Sequence, residues 1–339
     1  MPAKTASMES LKRFIRTKGA NFLKRPGITS IGVGYKRQKG KVTNKICIQF
    51  TVARKNSLSE LKSAKLEKLP KFLFIDGVRT PTDILQRTFA RSVIPVDIEA
   101  KIKSAAIRKK AADPIRPGVS IGHWTISGGT LGCVVYDARS GAPYALSNWH
   151  VLCGSGGKHG DAVVQPGRVD DSHVEQNKVG YLERSHLGEA GDCAIATISE
   201  RTLRPEIAGL DVAVKRIGDP ELGDRVVKSG RTTGVTHGIV TRIYVNARFD
   251  IFGEGMTIIG GFEIGPDPRL PAPMGEISMG GDSGSAWLHT ENDKPTDMMV
   301  GLHFAGEAED EREYALACYA SSVFEKLSIL PHKPSKPVI

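Results

Sequence analysis

The sequence predicts a mainly β protein with a small α+β unit at its N-terminus. Three observations predict this. From Val119 onward, short apolar runs and glycine-bearing turns follow each other with no room for helices between them. Before that point, a helical repeat and alternating segments are mixed. Glycine is abundant at 37 residues while aromatics make up only 6% of the 339-residue chain, a balance that suits strands and turns.

The elements follow in order. Met8, Leu11, Phe14, Ile15 and Phe22 recur near helical spacing among lysines and arginines, which predicts a basic amphipathic helix over 8–25, ended by Pro26 and Gly27. Such a helix either anchors to a membrane or partner or packs on its own domain, and packing is the preferred reading. Residues 31–35 and 46–52 alternate around a polar stretch and predict a hairpin. Ser57 with Glu60 is a capping-box start for a short helix through Leu69, stopped by Pro70. A further strand is expected over 72–78. The join falls within 92–117, which holds Pro95, Pro114 and Pro117 and the lysine-rich stretch 101–110. The domains are therefore set at 1–112 and 113–331, with a loose tail over 332–339. Strands are expected at 131–136, 144–147, 179–182, 193–198, 225–229, 238–243, 256–264, 285–289, 298–304 and 314–320, then a closing helix over 321–330.

Charge divides the chain. Residues 1–117 hold 27 Lys+Arg against 8 Asp+Glu, a net of +19, and the remainder is −9, giving the overall +10. A basic half of this kind binds nucleic acid or anionic lipid, or it pairs with the acidic half of its own chain. It lacks an aromatic-rich nucleic-acid signature, which favours a contact with the acidic half or a plain solvated surface. No apolar run is long enough to span a membrane and no secretory h-region opens the chain. Cys47, Cys133, Cys153, Cys193 and Cys318 are odd in number and irregular in spacing, which fits a reducing cytoplasm. A bridge between Cys133 and Cys153 is conceivable, but two free thiols are preferred. No Cys/His grouping has zinc spacing, so neither metal nor cofactor is expected.

Three strings carry chemistry: Ser147-Asn148-Trp149-His150-Val151, Gly191-Asp192-Cys193-Ala194-Ile195 and Gly281-Asp282-Ser283-Gly284-Ser285. A serine hydroxyl is a weak nucleophile and needs a base, and the base needs a third group to fix its tautomer. His150 suits the base, Asp192 the orienting carboxylate and Ser283 the nucleophile. A tight glycine turn can aim backbone N–H groups at a developing oxyanion, so Gly281 and Ser283 are the expected donors. Each string alone could be a turn, a core histidine or a strand cap. Their joint occurrence within a strand-rich region points to acyl transfer.

On these residues, 118–330 resembles a trypsin/chymotrypsin-type serine peptidase of the PA clan. The stretch Lys228-Ser229-Gly230-Arg231-Thr232-Thr233-Gly234 is similar to the hairpin that opens the second barrel in bacterial members. Arg116 to Gly122 and Gly129 to Cys133 resemble a bacterial and plant subgroup that includes the plant narrow-leaf proteases, whose N-terminal module resembles Gly32-Val33-Gly34-Tyr35-Lys36 onward. The resemblance implies two six-stranded β-barrels with the triad between them, and hydrolysis of peptide bonds through an acyl-enzyme. It permits a homo-oligomer. Two departures stand out. Ser285 replaces a usual glycine. No Ile-Val-Gly-Gly activation sequence precedes the domain, so Asp282 needs a partner other than a newly cut N-terminus. For substrate binding, the resemblance implicates Ile277, Ser278, His303, Phe304, Ala305 and Gly306. Ile277 stands where trypsin has its acidic pocket residue. His303 resembles the histidine that meets a Glu or Gln side chain in other members, or it is a satisfied core residue. The acidic run Glu307, Glu309, Asp310, Glu311 and Glu313 would repel an acidic substrate and attract a basic one, or it faces the basic N-terminal half instead. The expected function is a cytoplasmic serine endopeptidase selective for certain protein partners. The alternatives are a protease-like binding module with little activity, and a protease tethered to a polyanion by its basic half.

Overall fold

The structure, a computed structural model, describes residues 6–64, 66–90, 107–126, 128–251, 254–307 and 313–334. Helix α1 (Met8–Leu23) opens on Ser7, whose Oγ accepts the Ser10 N–H at 3.1 Å. It buries Leu11, Ile15, Gly19 and Leu23, a stripe at four-residue spacing. Strand β1 (Ile28–Gln38) lies beneath it. A Cβ on Gly19 would sit 3.3 Å from Ile31 Cγ2, so glycine lets helix and strand approach closely. A turn at Lys39 and Gly40, both at positive φ, leads into β2 (Lys41–Val52) and completes the expected hairpin.

Helix α2 (Leu58–Ser63) has the full capping box of Ser57 and Glu60 but stops well short of Leu69. The single strand expected over 72–78 is two, β3 (Phe72–Ile75) and β4 (Val78–Gln86), folded about Asp76 and Gly77 at positive φ. Pro81 and Asp83 weaken the strand pattern of β4 in the sequence. β4 runs parallel to β2, with Ile48 opposite Thr82.

A two-residue strand, β5 (Phe89–Ala90), follows. The first barrel then comprises β6 (Ser120–His123), β7 (Gly129–Thr130), β8 (Cys133–Asp137), β9 (Pro143–Ser147), helix α3 (Trp149–Leu152), β10 (Ala162–Val164), helix α4 (Val174–Asn177), β11 (Lys178–Gly188) and β12 (Gly191–Ala196). The second comprises β13 (Arg216–Ile217), β14 (Arg225–Gly230), β15 (Gly234–Ile251), β16 (Gly255–Pro266), β17 (Ala286–Glu291), β18 (Lys294–Glu307) and β19 (Ala315–Tyr319). Helix α5 (Ala320–Leu327) crosses back, and β20 (Ile329–Leu330) pairs with β8. The helix expected over 321–330 thus ends at Leu327, because Ser328 adopts the left-handed conformation.

The sheets curl as expected of a two-barrel fold. Six strands in the order β14-β17-β18-β19-β16-β15 close on themselves through the β14–β15 pairing. The other sheet holds eight strands in the order β20-β8-β9-β12-β11-β10-β6-β7. The N-terminal unit is not detached from this frame. β1 pairs antiparallel with β15, so its sheet extends the second barrel. Arg108 donates to the Gly118 carbonyl at 2.9 Å and to Ser229 Oγ at 2.7 Å, so 107–112, placed by sequence in the N-terminal unit, contacts the second. The greater part of the expected join (91–106), the acidic residues 309–311 and the end of the tail (335–339) lie outside the described residues. All five cysteines are buried and free, and the conceivable Cys133–Cys153 bridge is absent.

Candidate active site

Asp192 lies on β12, in register with β9, where Ala194 stands opposite Ser147. This pairing brings α3, which follows β9 directly, against the carboxylate. Asp192 is fully buried. Its Oδ2 is 2.5 Å from His150 Nδ1, and its Oδ1 accepts the His150 backbone N–H at 3.1 Å. Asn148 Nδ2 donates to the Asp192 carbonyl at 2.6 Å, tying the two strands again. A carboxylate on Nδ1 assigns the proton to that nitrogen and leaves Nε2 as the lone-pair side of the ring.

The serine loop reaches this pair across the interface between sheets. Thr130 N–H donates to the Ser283 carbonyl at 2.7 Å. A Cβ on Gly129 would lie 2.7 Å from that carbonyl and 2.5 Å from Val151 Cγ2. Only a glycine allows β7, the loop and the residue after His150 to meet there. Ser283 is 2% exposed, and its Oγ has no hydrogen-bond partner among the described residues. The structure therefore joins His150 to Asp192 and brings Ser283 alongside, but the hydroxyl–imidazole hydrogen bond is not made.

Asp282 N–H donates to the Met279 carbonyl at 3.0 Å, which closes a tight turn. Gly281, third in that turn, sits at φ +96, a conformation other residues rarely adopt. Thr232 Oγ1 donates to the Gly280 carbonyl at 2.6 Å, and Thr130 Oγ1 to the Gly281 carbonyl at 2.8 Å. In a trans peptide, C=O and the next N–H point opposite ways. Fixing the Gly280 carbonyl on Thr232 therefore turns the Gly281 N–H away from Thr232. Neither that N–H nor the Ser283 N–H donates to another described residue. Two uncommitted donors beside a serine can receive an anion.

Asp282 has the substitute partner that its sequence context required. Lys228 Nζ lies 3.1 Å from Oδ2, Thr233 Oγ1 donates to the same oxygen at 2.6 Å, and the N–H groups of Thr232 and Thr233 donate to Oδ1 at 2.9 and 3.1 Å. Burial alone would raise the Asp282 pKa, but Lys228 and these donors outweigh it and hold the carboxyl below its ordinary range. Neither Lys228 nor Thr232 was assigned a site role from sequence. The signal present was the Lys228 to Gly234 string, which marked a hairpin without marking what its side chains touch.

The expected substrate-binding residues divide. Ile277 is fully buried in the core cluster that includes Val226, Val240 and Trp287. Phe304 is 1% exposed and packs edge-on against Phe249 at 5.6 Å, and Ala305 is fully buried. Gly306 is buried in β18. His303 is sealed from solvent, stands edge-on to Trp287 at 6.3 Å, and has neither ring nitrogen hydrogen-bonded. Burial, and then the Lys228 charge, push its pKa down to about 3, so it is neutral. Ser278 alone of the six is half-exposed. Its N–H donates to Glu313 Oε1 at 3.1 Å. Burial, then Glu276, raise Glu313 to about 8.

No family model matches the sequence, and no curated protein matches it. Solved structures with a similar backbone course include Thermobifida fusca Protease A, at 18% identity over 65% of this chain and 99% of that one, with a TM-score of 0.47. A glutamic acid specific serine protease that uses a histidine triad in substrate binding is similar at 17% identity, over 63% and 98%, with a TM-score of 0.46. Nocardiopsis protease is similar at 16% identity, over 64% and 97%, also at 0.46. These neighbours in fold are serine proteases. The mainly β, two-barrel fold is the class to which this chain is assigned.

Proposed function

We propose that the chain is a serine endopeptidase in which Ser283 is the nucleophile, His150 the base and Asp192 the group that orients it. The observation that carries this reading is the pair of His150 and the buried Asp192 beside a serine whose hydroxyl is bonded to no described residue. Turning Ser283 Oγ to His150 Nε2 breaks no hydrogen bond, and such contacts commonly tighten only when substrate binds. As Oγ attacks the peptide carbonyl, Nε2 takes its proton. The oxyanion forms against the N–H groups of Gly281 and Ser283. His150 then hands the proton to the leaving amine, and water attacks the acyl-enzyme by the same route. Labelling by a fluorophosphonate probe tests this. The wild type should label, and Ser283→Ala should not. Absence of labelling in folded wild type counts against the reading and favours the binding-module alternative.

For the substrate side chain, the partly exposed carboxyl near Ser278 is that of Glu276, while the Glu313 Oε2 atom is buried and His303 is sealed. This supports basic segments over acidic ones, since the Glu276 carboxyl attracts a cation and repels an anion. Cleavage of a proteome-derived peptide library, read by mass spectrometry, distinguishes this preference from one for Glu or Gln.

The basic half supports a second, additive reading as a polyanion tether. A cleft of about 940 Å³ lies between α2, β2, β4 and the end of α1. Its rim carries Lys24, Lys55, Lys68 and Lys71, and its floor includes Leu61 and Leu69.

A further inference from the structure

The edges of β18 are taken up by different partners along its length. β19 lies along one edge from Gly301 to Gly306. β17 lies along the other as far as Leu302, which stands opposite Ala286. The serine loop takes over at His303, whose N–H donates to the Ser285 carbonyl at 2.9 Å and whose carbonyl accepts the Gly284 N–H at 2.9 Å. Beyond it, Gly306 and Glu307 pair antiparallel with Ala90 and Phe89 of β5. Because β19 already stands opposite Gly306, β5 lies on the edge shared with the serine loop. Only Phe304 and Ala305 separate the two along that edge.

Residues 87–90 are fastened there by more than this short ladder. The Tyr314 hydroxyl accepts the Thr88 N–H at 3.1 Å and donates to the Thr88 carbonyl at 2.9 Å. The Phe89 ring stands edge-on to Tyr314, centroids 5.4 Å apart, and also meets Phe249. Arg87 is buried, with its guanidinium 4.4 Å above the Tyr314 ring and 3.8 Å from Glu263.

We propose, resting on the reading of Ser283 as nucleophile, that residues 88–90 fill the outer acyl-side subsites of the cleft from within the same chain. A peptide that adds as a strand at Phe304 and Ala305, where no described strand pairs on that edge, runs antiparallel to β18, end to end with β5. With its carbonyl at Ser283, it meets β5 after about two residues, at ~3.3 Å each. The N-terminal unit thereby determines how much of a substrate is read. The enzyme orders only a short acyl-side segment, and specificity beyond it must come from elsewhere.

The test uses the full chain and a series of peptides with one to about six residues on the acyl side of the cleaved bond. The wild-type kcat/KM should rise to the second or third residue and then stay level within about twofold. Tyr314→Phe removes the hydroxyl that brackets Thr88 and keeps the ring, and Phe89→Ala removes the packing. Both should leave short peptides unaffected and raise the rate on the longest ones several-fold. A wild-type rate that climbs about tenfold or more between three and six residues overturns the proposal. So do variants that leave the long peptides unchanged. Hydrogen exchange in Ser283→Ala tests the contact without turnover. The amides of Thr88, Phe89 and Ala90 should exchange slowly, and faster once Tyr314→Phe is added. Exchange as fast as in an unfolded peptide overturns the proposal whatever the catalytic result. Fluorophosphonate labelling run beside these measurements reports on the nucleophile reading alone.

Discussion

Lys228 Nζ lies 3.1 Å from Asp282 Oδ2, and neither side chain is exposed to solvent. The pair joins the hairpin between β14 and β15 to the turn that carries Ser283. A buried ion pair adds little over an apolar pair of the same shape, but removing one partner strands the other charge. Lys228→Met should therefore cost about 3–5 kcal/mol in urea unfolding and abolish fluorophosphonate labelling. Pairing it with Asp282→Asn should recover much of the stability and little of the labelling, because the N–H groups of Thr232 and Thr233 lose their charged acceptor. A double variant with wild-type labelling would show that the pair does not shape the turn.

Thr232 is the next link. Its Oγ1 holds the Gly280 carbonyl at 2.6 Å, and so sets the direction of the Gly281 N–H. Loss of one oxyanion donor costs about 10²–10³ in kcat in a well-studied serine protease, and an indirect effect through Thr232 should be smaller, roughly tenfold. Thr232→Val keeps the shape and loses the hydroxyl, so kcat should fall with KM nearly unchanged. Thr232→Ser should restore the rate. A rise in KM at constant kcat would instead place Thr232 in general substrate binding.

His303 makes stability depend on pH. It is neutral in the fold, with its pKa pushed to about 3 first by burial and then by the Lys228 charge, while Asp282 opposes the shift. The unfolded chain carries the ordinary imidazole, so between pH ~6.5 and the folded value it binds a proton that the native state does not. Stability should fall as pH drops through that window, by up to ~1.4 kcal/mol per pH unit from this group. Glu313 works the other way. Its pKa is raised to about 8, first by burial and then by Glu276, so it favours the fold below pH ~4.5 and loses that contribution as pH rises through the folded value. Its half-exposure makes its effect the smaller. Urea unfolding of His303→Leu across pH 4–7 should show a shallower slope than wild type, within about a unit at either end. An equal slope would assign the acid sensitivity to other groups.

What the sequence conveyed follows from the range of each interaction. The capping box at Ser57, the hairpin of β1 and β2 and the strings around His150, Asp192 and Ser283 are local, and they were legible. β15 spans Gly234–Ile251, well beyond the expected 238–243, although Tyr244, Asn246 and Arg248 alternate with buried neighbours in the period of a strand. The short β5 has too few residues to show any period, and its partner lies more than two hundred positions away. Lys228 carries no site role in the sequence because its carboxylate partner is 54 residues distant. Ile277 has its expected role by analogy of position alone, and its apolar side chain lies in a buried cluster.

The rim of the N-terminal cleft offers a last measurable consequence. Of its cations, Arg25 is paired with Glu67 at 3.0 Å, Arg54 with Glu60 at 2.5 Å, and Lys36 Nζ donates to the Thr82 carbonyl at 2.6 Å. Lys24, Lys55, Lys68 and Lys71 have no such commitment among the described residues, and they stand around an apolar floor. If these four hold a polyanion, each neutralised phosphate releases counterions, and log K against log salt should slope by roughly −0.7 to −0.9 per contact. Heparin or single-stranded DNA titrated into the full chain at low salt measures that slope by fluorescence anisotropy. Replacing Lys55, Lys68 and Lys71 together by Gln should reduce it by about two to three. The Ser283 labelling rate should stay unchanged, since none of the three belongs to the catalytic site. An unchanged slope in the triple variant would move any polyanion contact to another face of the basic half, and no binding at low salt would remove the tether reading altogether.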